Sequence, residues 1–309
     1  MKILMTGGAG YIGSALTPTL LNLGHEVTIF DNLMYGGAHL LPYFEKRGFE
    51  FIRGDIRDKS QMKEALVGQD FIIHLAALVG YPLCKMKPRQ AIEINKDATQ
   101  QLLALKGTCP ILYASTGSNY GAVIGEKCTE ETPLNPLSLY GQTKTAAEEM
   151  VLNDENGMGF RFATAFGISP RMRLDLLVND FVFQATKIKH LVMYEKNYKR
   201  TFIHLADICK AFMMAINNWD KWKAGKVYNV GNDSMNYTKE DIALLIKKEV
   251  DYYLVFADAG TDEDQRNYEV DYSKVQTLGF HTTIDMETGI RALVKACQAI
   301  DAIRPMSNV

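Results

Sequence analysis

Thr6-Gly7-Gly8-Ala9-Gly10-Tyr11-Ile12-Gly13 follows the apolar run Lys2–Thr6 and decides how the rest of the chain is read. Gly7, Gly10 and Gly13 stand three residues apart, after a strand-like run and at the start of a helix-like one. In such a turn the first glycine permits the tight bend and the second lets backbone approach a pyrophosphate. The third lets the helix pack closely on the strand. The helix N-terminus adds N–H donors and positive potential for phosphate. Tyr11 and Ile12 lie inside this turn and join the three glycines as candidate contacts to a dinucleotide.

Outward from the turn, short β-rich runs alternate with helical stretches. Lys2–Thr6, Glu26–Asp31, Phe49–Arg53, Phe71–Leu75, Pro110–Ser115 and Gly159–Thr164 read as strands. Ile12–Leu23, Lys59–Leu66, Pro88–Leu105 and Ser138–Asn153 read as helices. This βαβ rhythm predicts an α/β fold, a doubly wound parallel Rossmann sheet with helices on both faces. Past residue 165 the rhythm loosens. Arg171–Lys189 reads as a loop entering a helix, and Leu191–Tyr194 and Thr201–Leu205 as short strands. A helix at Ala206–Asn217, a strand at Lys226–Val230 and helices at Thr238–Glu249 and Met286–Ile300 follow. Residues 1–165 are therefore expected to bind the dinucleotide. Residues 166–309 should form mainly a smaller mixed α/β lobe for substrate, with some segments returning to the sheet.

Asp31 ends the second strand, where a carboxylate accepts hydrogen bonds from the adenosine ribose diol. A 2′-phosphate would be repelled there, and Asn32-Leu33-Met34-Tyr35 offers no arginine to hold one, so NAD is expected rather than NADP. In Gly54-Asp55-Ile56-Arg57-Asp58, Asp55 could meet the adenine amino group. The same stretch reads equally as a polar turn in which Asp58 caps a helix.

Much later, Tyr140-Gly141-Gln142-Thr143-Lys144 puts a phenol and an ammonium one helical turn apart on one face. The ammonium favours a tyrosinate, lowering the phenol pKa from about 10. Tyr140 could then take a proton from a sugar hydroxyl as hydride leaves the attached carbon. Thr116 closes the fifth strand in Tyr113–Gly121, at the strand end where such sheets bind ligands, and its hydroxyl could orient the substrate.

Composition narrows the class. The chain has 309 residues, a formal net charge of −2 and mixed signs throughout, with neither a basic stripe for nucleic acid nor a polybasic membrane patch. No apolar run approaches the ~20 residues of a membrane span. Met1-Lys2-Ile3-Leu4-Met5 runs straight into the glycine turn, which leaves no room for a signal peptide. Cys84, Cys109, Cys128, Cys209 and Cys297 are odd in number, scattered and without CxxC spacing. They read as reduced cytoplasmic thiols, neither a disulfide frame nor a zinc site, and no metal is expected.

Together these motifs resemble the extended short-chain dehydrogenases/reductases of the NAD-dependent epimerase/dehydratase family. The resemblance covers nearly the whole chain. It takes in Thr6–Gly13, Asp31, Gly54–Asp58, His74-Leu75-Ala76-Ala77, Ser115–Gly121, Tyr140–Lys144, Arg200-Thr201-Phe202-Ile203-His204 and Val227-Tyr228-Asn229-Val230-Gly231. It implies tightly held NAD, with Asn32, Ile56, Leu75, Ala76, Ala77, Tyr140 and Lys144 among its contacts. It also implies a nucleotide-diphosphate sugar substrate, transient oxidation usually at C4, and a homodimer built from the helices near Pro88–Leu105 and Ser138–Asn153.

Family 4,6-dehydratases follow the threonine with an acidic pair. Here Gly117 and Ser118 stand instead, and neither is an acid or base at neutral pH. That leaves C4 epimerisation or net C4 oxidation, with Thr116, Tyr140 and Lys144 as the catalytic set and Ser118 and Asn119 beside the substrate. Asn179 matches the family's phosphate-binding asparagine, and Arg200 and Arg266 match its pyrophosphate arginines. Arg171 and Arg173 could reach phosphate or a carboxylate. The run Arg171–Phe181, taken with Ala76–Cys84, is more similar to GDP-heptose 4-dehydrogenases than to UDP-galactose 4-epimerases. The loop bearing Leu78, Val79 and Gly80 should then face the sugar of a GDP- or UDP-linked substrate. Cys84 reads as packing, and His74 and His204 as structural. A non-catalytic NAD-binding regulator on the same fold is the competing reading, and the intact threonine, tyrosine and lysine weigh against it.

Overall fold

The computed structural model of the protein describes residues 1–123, 126–257 and 269–299. The chain opens with β1 (Lys2–Thr6), α1 (Tyr11–Asn22), β2 (Glu26–Asp31), β3 (Phe49–Arg53), α2 (Lys59–Ala65) and β4 (Phe71–His74). Then come α3 (Tyr81–Met86), α4 (Pro88–Ile92), α5 (Ala98–Leu105), β5 (Ile111–Thr116), β6 (Lys127–Cys128) and α6 (Leu139–Asn153). The middle is β7 (Gly157–Phe162), β8 (Thr164–Phe166), α7 (Leu177–Phe183), β9 (His190–Met193), β10 (Lys199–His204) and α8 (Leu205–Asn217). It continues through α9 (Trp219–Lys223), β11 (Val227–Val230), β12 (Asn236–Thr238), α10 (Lys239–Glu249) and β13 (Tyr253–Phe256). The chain closes with β14 (Glu269–Val270), α11 (Ser273–Gln276) and α12 (Met286–Ala299).

Seven parallel strands form the central sheet in the order β11-β7-β5-β4-β1-β2-β3. Its central strands β1 and β4 read as largely apolar runs because both faces are covered, whereas the edge strand β3 keeps Glu50 and Arg53 exposed. One face packs Ile3, Met5, Ile29 and Ile73 against Leu16 and Leu20 of α1 and Phe212 of α8. The other packs Leu4, Phe30, Ile72 and Tyr113 against Leu102 of α5 and Ala147 and Val151 of α6. The strand order reverses between β1 and β4, so the crevice of the fold opens at their carboxyl ends. Within α1, Pro18 cannot donate to the Ser14 carbonyl, and the Tyr43 hydroxyl donates to it instead at 3.4 Å.

Three elements differ from the sequence expectation. The run Gly159–Thr164 is two strands, not one. The chain leaves the central sheet at Ala163, whose N–H donates to the Val230 carbonyl, and β8 pairs with β10 in a separate three-stranded sheet with β12. The stretch Pro88–Leu105 is not a uniform α-helix: between α4 and α5 it widens into a π-helical turn over Glu93–Asp97. A short helix, α3, fills what read as loop after Gly80. Beyond the sheet, Val178, Val182, Ile242, Ile246, Ile290 and Leu293 bring α7, α10 and α12 into a second apolar cluster. No helix of the described residues is long and apolar enough to cross a membrane.

Candidate active site

The crevice begins at the glycine turn. Gly7 adopts φ +69°, and a Cβ there would lie 2.6 Å from the Ala76 backbone, so the β1 and β4 exits meet over a position that needs glycine. At Gly13 a Cβ would lie 2.5 Å from Gly8 Cα, which sets how closely α1 approaches the strand. Gly10 caps α1 without a side chain, leaving the first-turn N–H groups to the crevice. Gly7, Gly10, Tyr11, Ile12 and Gly13 all line it.

Asp31 stands at the end of β2. Its carboxylate accepts from Ala9 N–H at 3.0 Å and Leu33 N–H at 2.8 Å, which fixes its direction, and burial raises its pKa above the usual carboxylate value. Asn32, Asp55 and Ile56 line the same end. Arg57 holds Asp55 at 2.7 Å and keeps its pKa at about 2. Asp58 accepts from Ser60 and Gln61 N–H at the start of α2, the cap its sequence allowed, while Asp55 of the same stretch lines the crevice. A ribose diol and an adenine amino group fit these carboxylates, and a pyrophosphate fits the α1 N-terminus.

Leu75, Ala76 and Ala77 continue the wall after β4, and Leu78, Val79 and Gly80 extend it. His74 bridges Thr6 Oγ1 at 2.6 Å and Thr99 Oγ1 at 2.9 Å, and complete burial pushes its pKa down to about 3, so it stays neutral. His204 caps α8 by accepting from Ala206 N–H through Nδ1. The Cys84 thiol donates to the Leu78 carbonyl and is pushed up to about 11 by burial, a packing group with little thiolate at neutral pH.

Thr116, Ser118, Tyr140 and Lys144 complete the lining. The Thr116 hydroxyl donates to Ser118 Oγ at 3.1 Å and accepts from Ser118 N–H at 3.2 Å. Lys144 lies on α6 with its Nζ 4.0 Å from the centroid of the Tyr113 ring, a cation–π contact. Burial drives the Lys144 pKa down to about 7, with Glu148 one turn further along pulling the other way. Glu148 is pinned by Arg161 at 2.7 and 2.9 Å and by Asn119 at 3.0 Å.

Not every residue proposed from sequence reaches this crevice. Arg171 and Arg173 line it, with Arg173 paired to Asp175 at 2.5 Å. Asn119 is buried behind it, donating to Ser115 Oγ and Glu148. Asn179 is also fully buried. Its amide accepts from Gly167 N–H and donates to the Arg173 carbonyl, which ties it to the arginine loop. Arg200 is buried on β10 and is not among the lining residues, and Arg266 lies outside the described residues. Conversely, sequence reasoning passed over Asn95, which accepts from Leu78 N–H at 2.7 Å and donates to the Leu78 carbonyl at 2.9 Å. It passed over Tyr35 and Phe162 as lining residues too. Asn95 had one signal, a polar residue at the inward position of an amphipathic helix. Among the described residues no group of three or more His, Cys, Asp or Glu could hold a metal ion.

A doubly wound sheet with a glycine turn and a Tyr-x-x-x-Lys helix along one crevice defines an extended short-chain dehydrogenase/reductase. Residues 3–231 match the NAD dependent epimerase/dehydratase family, and the chain belongs to it. Its members are NAD-dependent enzymes that modify nucleotide sugars, and NAD is the cofactor. The low-salt glycan biosynthesis protein Agl12 of Haloferax volcanii is 30% identical, covering 95% of this chain and 97% of its own. A putative UDP-glucose 4-epimerase of Methanocaldococcus jannaschii is 29% identical, covering 94% and 97%. The UDP-glucuronic acid 4-epimerase of Bacillus cereus, solved with UDP-glucuronic acid and NAD, shares the fold at a TM-score of 0.86 and 25% identity, covering 97% and 99%.

Proposed function

We propose that this enzyme oxidises a nucleotide-diphosphate sugar at C4. Bound NAD would accept the hydride from that carbon. Tyr140 takes the C4 hydroxyl proton, Thr116 orients that hydroxyl through its own, and Lys144 supplies the positive charge that favours the tyrosinate. The C4 carbon then carries a ketone, and Tyr140 holds the proton it received. Returning hydride to the opposite face and proton to the oxygen gives the epimer; releasing the ketone gives a net 4-dehydrogenase. The observation that carries this reading is that Thr116, Tyr140 and Lys144 line the same crevice as the glycine turn and Asp31. Gly117 and Ser118 beside Thr116 provide no carboxyl group to eliminate water, which speaks against dehydration.

Residues 1–165 would hold NAD, and residues 166–309 would mainly hold a GDP- or UDP-linked sugar, working as a homodimer across α4–α6. The five free cysteines fit a reducing cytoplasm. Proton NMR of the enzyme with UDP-, GDP- and dTDP-sugars, heptoses included, is the test. A new anomeric signal without net NADH identifies the epimerase. Loss of the C4 proton with matching NADH identifies the dehydrogenase. Tyr140→Phe is expected to slow either reaction by about 10²–10⁴-fold; unchanged turnover would remove Tyr140 from the chemistry.

A further inference from the structure

The loop after β8 is fastened to the phosphate-binding helix. Tyr11 Oη donates to the Gly167 carbonyl at 2.7 Å, and Ser169 Oγ donates to the Tyr11 carbonyl at 2.7 Å. Ser14 and Ser169 hydroxyls meet at 3.0 Å, and Arg171 N–H donates to Ser14 Oγ at 3.2 Å. These contacts anchor residues 167–171 to the first turn of α1. They bring Arg171 beside the glycine turn and close enough to feel the charge of Asp31. From the opposite wall, the loop after β2 lays the Tyr35 ring against the guanidinium, 4.6 Å from Arg171 Cζ to the ring centroid. Tyr35 Oη is buried without a hydrogen-bond partner, and both residues line the crevice.

We propose that Tyr35 and Arg171 form a bridge across the cofactor groove, with Arg171 binding the phosphates of NAD rather than those of the nucleotide sugar. The positive charge is felt by Asp31 and is carried on a loop tied to Ser14 of α1, on the side of the crevice where pyrophosphate and adenosine ribose belong in this fold. Arginine on a tyrosine face gains a cation–π contact of the order of 0.5–1 kcal/mol or more, and Arg171 Nη1 donates to the Met172 carbonyl at 3.1 Å, which fixes the fork at the crevice wall. NAD cannot leave the groove until the stack parts, so the bridge slows release while the substrate end stays independent. This inference needs NAD as cofactor but holds whichever sugar carbon is oxidised.

The test is the release rate of preloaded NADH, followed by its fluorescence during a chase with excess NAD. UDP and GDP binding is measured alongside by calorimetry on the NAD-loaded enzyme. Arg171→Ala and Tyr35→Ala are each expected to speed release by tenfold or more. Tyr35→Phe, which keeps the ring, should stay near wild type, and the double alanine variant should release little faster than Arg171→Ala alone. UDP and GDP affinity should hold in all of them. Should Arg171→Ala fold poorly, Tyr35→Ala on its half-buried loop gives the same readout. Unchanged release in the alanine variants, or weaker nucleotide binding with release unaltered, would overturn the bridge and return Arg171 to the substrate.

Discussion

Lys144 carries the least settled proton of the site. Burial lowers its pKa from 10.5 to about 7. Between these values the unfolded chain binds a proton that the folded chain does not, so this site's contribution to stability rises with pH across that window and is flat below it. Lys144→Met removes the titration. The urea midpoint of the NAD-free wild type, taken relative to that variant, is expected to climb from pH 7 to pH 9; parallel curves would show that the ammonium is not suppressed. Asp31, elsewhere along the same crevice, shows how far residue-scale reasoning from sequence reaches. Its place at the end of β2 was legible, yet the arginine beside it comes from position 171, so the absence of arginine in the loop after β2 did not describe the charge actually present.

Helices and loops of this site are held by single polar side chains whose partners periodicity does not reveal. The segment from Pro88 to Leu105 alternates apolar and polar positions as one helix would. Its π-helical turn coincides with Asn95, whose amide takes both polar backbone groups of Leu78 and also donates to Thr143 Oγ1 at 3.1 Å. One helix thereby positions both the Leu78–Gly80 wall and the middle of α6. Asn95→Ala leaves the buried Leu78 N–H unpaired and its carbonyl to the Cys84 thiol alone, at a cost of about 1–3 kcal/mol. Urea denaturation should register that loss, together with a higher KM for the sugar and unchanged NADH release. A variant with wild-type stability and KM would mean that the loop holds its shape without Asn95.

At the scale of the molecule, a buried ion pair ties the catalytic helix to the sheet. Glu148 of α6 and Arg161 of β7 are 5% or less exposed at the side chain and 2.7 Å apart, and Arg161 also donates to Tyr120 Oη at 3.0 Å. Tyr120 in turn donates to Asn229 of β11, so the edge strand supplied by the second half of the chain joins the network. Arg161→Met strands a buried carboxylate and is expected to cost about 3–5 kcal/mol, measured by the shift in urea midpoint. Adding Glu148→Leu should recover most of that loss, because the penalty lies in the orphaned charge. No recovery would place the cost in packing.

Local chemistry decided much of this protein from sequence alone. Parallel buried strands must be apolar throughout, a phosphate turn must be glycine, and a phenol and an ammonium four residues apart on a helix must share a face. For these reasons β1, β2 and β3 and the glycine turn stand where the sequence put them, and the Tyr140–Lys144 pair shares the crevice with that turn. Distance along the chain hid the rest. Asn179 and Asn119 turn inward, because backbone amides and a buried glutamate claim their polar atoms. Arg171 meets Tyr35 across 136 positions, and β11 closes the edge of a sheet begun more than 200 residues earlier. Such pairings depend on which surfaces the fold brings together, and that is settled when the sheet and its covering helices pack, by contacts that spacing along one chain does not encode.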